Sequence, residues 1–250
     1  MMKTIRSFAA AFERRLSNIV RRPIRRAVGY APPVGAINLG DLNRLSPIDG
    51  DFGYGRGQPV DRYYVEAFLE NHSADIRGHV LEIGDSTYTL RFGGDRVTTC
   101  SVWNLLPGTE GSSYTGDLAD ADHVPDDLFD CVIFTQTLHL IYDFHRALHH
   151  LQRMLKPEGV LLATVPGITQ IDRGEWGGCW YWSFTPASMR RMLSDAFDDN
   201  HQVRGRGNVL TATSFLHGLA TSELDPKAWT VDDDAYPVII TARAVKRVHK

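Results

Sequence analysis

The chain reads as an α/β domain with a mostly parallel, doubly wound sheet, and three observations predict it. Val80, Leu81 and Ile83 form a short apolar run ending at Gly84-Asp85-Ser86, a strand buried on both faces followed by a glycine turn. Further apolar runs at 129–134 and 160–165 are separated by a helical stripe, Phe144, Ala147, Leu148, Leu151 and Leu155, which is the alternation of a parallel α/β sheet. The 250 residues, 43% hydrophobic and 23% charged, suffice for one such domain with a substantial core and some appended segments.

Taken in order, Ile5, Phe8, Ala9, Phe12, Leu16 and Ile19 fall at helical spacing until Pro23 interrupts them. Residues 1–30 hold eight basic side chains against Glu13 alone, so this is a basic amphipathic arm. It is expected either to dock on its own domain or to attach residues 1–26 peripherally to an anionic membrane or a partner. The rest of the chain carries 19 basic against 29 acidic residues, which argues against a nucleic-acid-binding body. No apolar run approaches the ~20 residues of a membrane span, and a cytoplasmic location is expected, peripheral at the membrane where the arm attaches to it. Cys100, Cys131 and Cys179 are odd in number and widely spaced, suggesting reduced thiols and neither a disulfide framework nor a zinc site.

Residues 31–58, rich in Gly, Pro, Asp and Asn, have no sustained period and are expected to be a loop or lid. Pro59 opens a helix with Tyr63, Tyr64, Ala67, Phe68 and Leu69, and the domain is assigned to 59–250. Glu82 stands out within the first strand, because a carboxylate near the end of an apolar strand is costly to bury without hydrogen bonds or a cation; a functional role is expected over a structural one. Residues 95–102 are expected as the second strand and 114–116 as a short third before Asp117. The fourth strand, 129–134, leads into Thr135-Gln136-Thr137-Leu138-His139. Asp143 is the expected cap of the next helix, in which His145 and His149 are better read as solvated or packed than as metal ligands. The fifth strand, 160–165, is followed by an aromatic loop with Trp176, Trp180, Tyr181, Trp182 and Phe184. Then comes a helix capped by Thr185 with Pro186 in its first turn. Residues 203–207, 208–219 and 238–245 supply two more strands and a closing helix.

The run Val-Leu-Glu-Ile-Gly at 80–84, Phe-Asp-Cys-Val-Ile-Phe at 129–134 and Leu-Lys-Pro-Glu-Gly-Val-Leu-Leu at 155–162 together resemble the first, fourth and fifth-strand motifs of class I S-adenosylmethionine-dependent methyltransferases of the type 11 kind. The flanks at 56–64 and 181–186 resemble members found beside glycan-building enzymes. The resemblance implies a Rossmann-like, seven-stranded sheet with helices on both faces and S-adenosylmethionine as cofactor. It places Glu82, Gly84, Asp85, Asp117 with Leu118, and Thr135 with Gln136 around that cofactor. Arg56 and Arg62 are expected at the methionine carboxylate, or else as surface arginines. Ser101 stands where the family has a ribose-gripping acid, with Asn104 the alternative. Asp117 matches the adenine position, or is an ordinary turn aspartate.

Methyl transfer to an oxygen of a sugar, glycan or small metabolite is the expected reaction. His139 is the candidate base, expected to titrate near neutrality. Trp176, Trp180 and Tyr181 are the candidate acceptor platform. The alternatives are a non-catalytic scaffold of the same fold in a glycan assembly and a nicotinamide-dependent oxidoreductase or epimerase. Against the latter, Gly84-Asp85-Ser86-Thr87-Tyr88-Thr89 has only the first glycine of the dinucleotide fingerprint.

Overall fold

The computed structural model describes residues 31–248; the basic arm at 1–30 lies outside the described residues. Contacts divide the chain at Arg44/Leu45. Among residues 31–44 the regular element is a 3₁₀ turn, Gly40–Leu42. The larger unit holds a seven-stranded sheet in the order β3-β2-β1-β4-β5-β7-β6. The strands are β1 (Gly78–Ile83), β2 (Val97–Asn104), β3 (Tyr114–Thr115), β4 (Phe129–Thr135), β5 (Leu155–Pro166), β6 (His201–Arg206) and β7 (Ile239–Val245). The pairings β1·β2, β1·β4, β2·β3 and β4·β5 are parallel, and β7 runs antiparallel between β5 and β6.

Alternation along the central strands produces two cores. Leu81, Val132, Phe134, Leu161 and Ala163 face α2 (Phe144–Met154) and α3 (Pro186–Phe197), whereas Val80, Cys131, Ile133 and Leu162 face α1 (Val60–Asn71) and α4 (Val209–Leu216). Both faces are covered, as the doubly wound reading requires. Local signals start the helices: Asp143 accepts from the Arg146 N–H at 3.1 Å, Thr185 and Ser188 form a capping box, and Asn208 accepts from the N–H groups of Leu210 and Thr211.

Three strands differ from expectation by two residues or more at a boundary, β6 by starting at His201 rather than at 203. The β5 strand begins at Leu155 and takes in the Lys-Pro-Glu-Gly turn, where the Glu158 N–H donates to the Lys246 carbonyl. The β2 strand starts and ends two residues later than read, because its pairing with β1 continues through Ile83 opposite Trp103, past the register shift at Gly78/His79. The crevice end of β2 is therefore Asn104, and Ser101 lies three residues back along the strand. No helix among the described residues is long and apolar enough to cross a membrane.

Candidate active site

The carboxyl ends of β1, β2, β4 and β5 open on a cleft of about 660 Å³, within the usual range for ligand sites. Gly84 leaves β1 at φ +95° and Gly116 follows β3 at φ +123°, and at both there is open space where a Cβ would lie. Backbone can therefore approach a ligand closely at these two turns. The two turns are braced: the Gly84 N–H donates to the Trp103 carbonyl at 2.9 Å, the Gly116 N–H to the Asn104 carbonyl at 3.0 Å, and the Trp103 indole to the Gly116 carbonyl at 2.8 Å. Asn104 adds a cross-tie, its amide nitrogen donating to the Gly84 carbonyl at 3.0 Å and to Ser112 Oγ at 2.8 Å, which leaves the amide oxygen as an acceptor.

Asp117 lines the cleft and caps the 3₁₀ turn Leu118–Asp120, one carboxylate oxygen accepting from the Ala119 N–H at 2.8 Å. Leu118 lies beside it, buried. Gln136, also lining, sits at φ +47° just past β4, held by its N–H to the Thr164 carbonyl at 2.8 Å. A non-glycine residue kept in that region at a strand end is the kind of local strain that collects at functional sites.

Several sequence-predicted residues lie elsewhere. Glu82 is buried, and its two oxygens accept the N–H groups of Tyr88 (3.1 Å) and Thr89 (2.7 Å). Burial raises its carboxyl above the usual range while those N–H groups pull it down. Its place is structural, holding the turn after β1, contrary to expectation. Asp85 likewise caps its own turn, accepting from the Thr87 N–H at 2.7 Å, and does not line the cleft. Ser101 is inside the sheet with its hydroxyl 2.9 Å from His79 Nε2, too far back along β2 to reach the crevice. Thr135 ends β4 without lining the cleft; Gln136 and Thr137 take that position. Arg56 is engaged by Glu223, with Nε to Oε2 at 2.9 Å, which pins the 45–58 segment to the turn after α4. Ile48 and Asp49 N–H groups donate to the His217 carbonyl, and Pro59 bridges Ala220, fastening the same segment.

Arg62 does line the cleft, its Nε donating to the Tyr54 hydroxyl at 2.9 Å. Burial lowers the pKa of this guanidinium, but Asp61 and the Tyr54 and Tyr88 phenols outweigh that and raise it, so Arg62 stays charged.

The opposite wall is aromatic. Phe52 stacks on Trp180 at 6.1 Å, and Trp180 lies 4.2 Å from His139, centroid to centroid. Trp176, Tyr181, Tyr142 and Phe215 complete it. The wall is positioned by backbone: the N–H groups of Tyr181 and Trp182 both donate to the His139 carbonyl, and Trp176 N–H to Asp172 Oδ2 at 2.8 Å. Trp182 is set apart, its indole donating to the Ile141 carbonyl and its ring edge-on to Phe144. His139 is 2% exposed, and its Nδ1, like Trp180 Nε1, is buried with no hydrogen-bond partner among the described residues. Burial pushes the imidazole down to about 3. The expected near-neutral titration is thus overturned, because among the described residues no anionic group offsets the ring's desolvation. Sequence reading missed Phe52, Tyr54, Asp61, Asp172 and Phe215, which reach the cleft from segments far apart in the chain.

A family model described as "Methyltransferase domain" matches residues 51–240. The chain belongs to the methyltransferase-domain family. Solved structures share the fold of this sheet. The S-adenosylmethionine-dependent methyltransferase from Archaeoglobus fulgidus aligns at TM-score 0.51 and 15% identity, covering 74% of this chain and 94% of that one. The [4+2]-cyclase SpnF aligns at TM-score 0.51 and 15% identity, covering 78% and 84% respectively. Among curated proteins, the human mitochondrial arginine-hydroxylase NDUFAF5 is 28% identical over 129 residues, 51% of this chain and 31% of that protein. The chain thus spans about a third of that relative's length.

S-adenosylmethionine is the cofactor of this fold, and the residues present fit it. Open glycine turns at Gly84 and Gly116 border the cleft; the Asn104 amide oxygen would be the uncharged acceptor for ribose hydroxyls, Asp117 the acceptor for the adenine amino group, and Arg62 the cation for the methionine carboxylate. When bound, the cofactor supplies a methyl group already activated on a sulfonium.

Proposed function

We propose that this protein transfers a methyl group from S-adenosylmethionine to a hydroxyl oxygen of a sugar, glycan or small metabolite. The observation that carries the reading is the division of one cleft into a glycine-and-amide wall suited to the cofactor and an aromatic wall holding two unpartnered buried polar atoms, His139 Nδ1 and Trp180 Nε1. Flat rings with polar edges suit the CH-rich face of a sugar, and the acceptor's oxygens would supply partners to groups that the protein leaves without them. The chain's own task is to hold the acceptor oxygen in line with the methyl and to keep water out. His139, neutral at physiological pH, is too weak a base to remove a proton from a free hydroxyl. Once an oxygen has gained a third bond it becomes strongly acidic, and a neutral imidazole nitrogen then suffices to take the proton. This puts proton removal after, not before, most of the C–O bond is made.

The test is a mass-spectrometric screen of sugar, glycan and phenolic or aliphatic hydroxyl acceptors with S-adenosylmethionine, looking for a 14-dalton gain on oxygen (roughly one CH₂, with methyl replacing hydrogen). Gain only on nitrogen or carbon overturns the oxygen assignment; cofactor binding with no acceptor methylated across the screen favours the scaffold alternative.

A further inference from the structure

On α1, next to Arg62, Asp61 is a carboxylate that nothing described so far uses. It lines the cleft and is only 9% exposed. Its Oδ1 is buried with no hydrogen-bond partner among the described residues, and its Oδ2 lies 3.9 Å from Arg62 Nε, beyond hydrogen-bond distance. Arg62 itself points its Nε to Tyr54. A largely desolvated carboxylate with so little compensation is unfavourable, and its cost falls when a cation with donors comes within reach. Asp61 and Arg62 thus present an anion and a cation side by side on the cleft lining, the charge pattern of an α-amino acid reversed.

We propose that Asp61 binds the α-ammonium of the cofactor's methionine while Arg62 takes its carboxylate, so that this pair reads the zwitterion. The assignment rests on the cofactor reading above. The neighbouring charges agree with it: burial raises the Tyr88 phenol above its ordinary value and so keeps it neutral, and Arg62 is the cation that faces Asp61 on its own helix. Burial raises the Asp61 carboxyl above its usual range, opposed by the Arg62 charge and by the backbone N–H groups of Arg62 and Asp61 at the start of the helix, and burial outweighs them, so a bound ammonium would bring it back down.

The experiment is calorimetric titration of wild type and Asp61→Asn with two ligands: S-adenosylhomocysteine, and its deaminated analogue, which keeps the carboxylate but lacks the ammonium. In Asp61→Asn the affinity for S-adenosylhomocysteine should fall about tenfold or more, the worth of a hydrogen bond between charged groups, while the deaminated analogue binds as in wild type or more tightly. An equal fall for both ligands would mean that Asp61 acts by positioning Arg62, and unchanged S-adenosylhomocysteine affinity would mean that it makes no contact; either overturns the proposal. Melting of the unliganded variant checks the fold, and removing the buried charge should leave the melting temperature unchanged or higher. Failure of wild type to bind S-adenosylhomocysteine would instead remove the cofactor reading, and this assignment with it.

Discussion

Gly84, Asn104, Asp117 and Gln136 enter the cleft at or just past the ends of four strands, whereas Phe52, Asp172, Trp176, Trp180 and Tyr181 enter it from loops, and His139 from the 3₁₀ turn Leu138–Leu140. On the first wall the backbone is tied by bonds to neighbouring strands: Gly84 to Trp103, Gly116 to Asn104, Gln136 to Thr164. On the second, aromatic rings stack on one another, and two polar atoms have no partner. A wall whose backbone is bonded in place suits a ligand that never changes, and a wall of stacked rings from loops is where an acceptor can be selected. The two walls should therefore fail separately when mutated.

The largest expected effect is on the strand-built wall. Gly84→Val places a branched side chain into the open space facing the cleft at a φ of +95°, which L-residues rarely adopt. Cofactor binding should fall at least a hundredfold, with about 1–3 kcal/mol of lost stability from the strained backbone. Binding within a few-fold of wild type, measured by calorimetry, would mean that the ligand does not approach the β1 turn. Next in size, Asp117→Ala should weaken S-adenosylhomocysteine binding about tenfold or more. An unchanged affinity there would leave Asp117 as the cap of the Leu118–Asp120 turn and nothing else.

The loop-built wall should show the opposite split. Trp180→Ala removes the ring between Phe52 and His139, so the apparent acceptor affinity should drop by about tenfold. Cofactor affinity should stay within about twofold of wild type, since sites without shared partners act nearly independently. If Trp180→Ala reduces cofactor affinity as much as Asp117→Ala does, the two walls are one coupled unit and the comparison fails.

How much of this was legible in the sequence follows the same division. Gly84 directly follows an apolar run and Asp117 follows the Tyr-Thr-Gly end of a short strand, and a strand followed by a glycine or a capping aspartate is a local pattern. Ser101 was misplaced because strand ends are set by pairing: β2 keeps its bonds to β1 through Trp103, and no propensity marks Asn104 as its last residue. The sequence around Glu82 points to function because a buried carboxylate needs donors. The donors turned out to be the Tyr88 and Thr89 N–H groups six and seven residues on, available only once the turn folds back. Arg56 was indistinguishable from Arg62 until Glu223, 167 residues away, was seen to hold it. The aromatic loop was noticed as composition, but its partner Phe52 comes from a segment with no periodicity, and only tertiary packing brings the two rings together.

The smallest effect concerns His139, and it separates burial from chemistry. Its imidazole is held at about 3 in the folded protein by desolvation, against an ordinary value near 6.5. Between those values the unfolded chain binds a proton that the folded chain does not, so stability is fully present above about pH 6.5 and is lost as pH falls toward 3. From pH 6 to pH 5 this one group should cost about 1 kcal/mol. His139→Gln, which keeps a polar side chain of similar reach without a titrating ring, should flatten that part of the stability curve in denaturant titrations at the two pH values. If wild type and variant lose stability in parallel, the ring is not desolvated in solution and the aromatic wall is more open than the structure shows. Turnover tests the chemistry independently, because a residue protonated only near pH 3 gives no acid limb at pH 6–7. A limb near 6.5 that disappears in His139→Gln would restore a titrating base to the site, and would place the proton transfer earlier in the reaction than the buried imidazole allows.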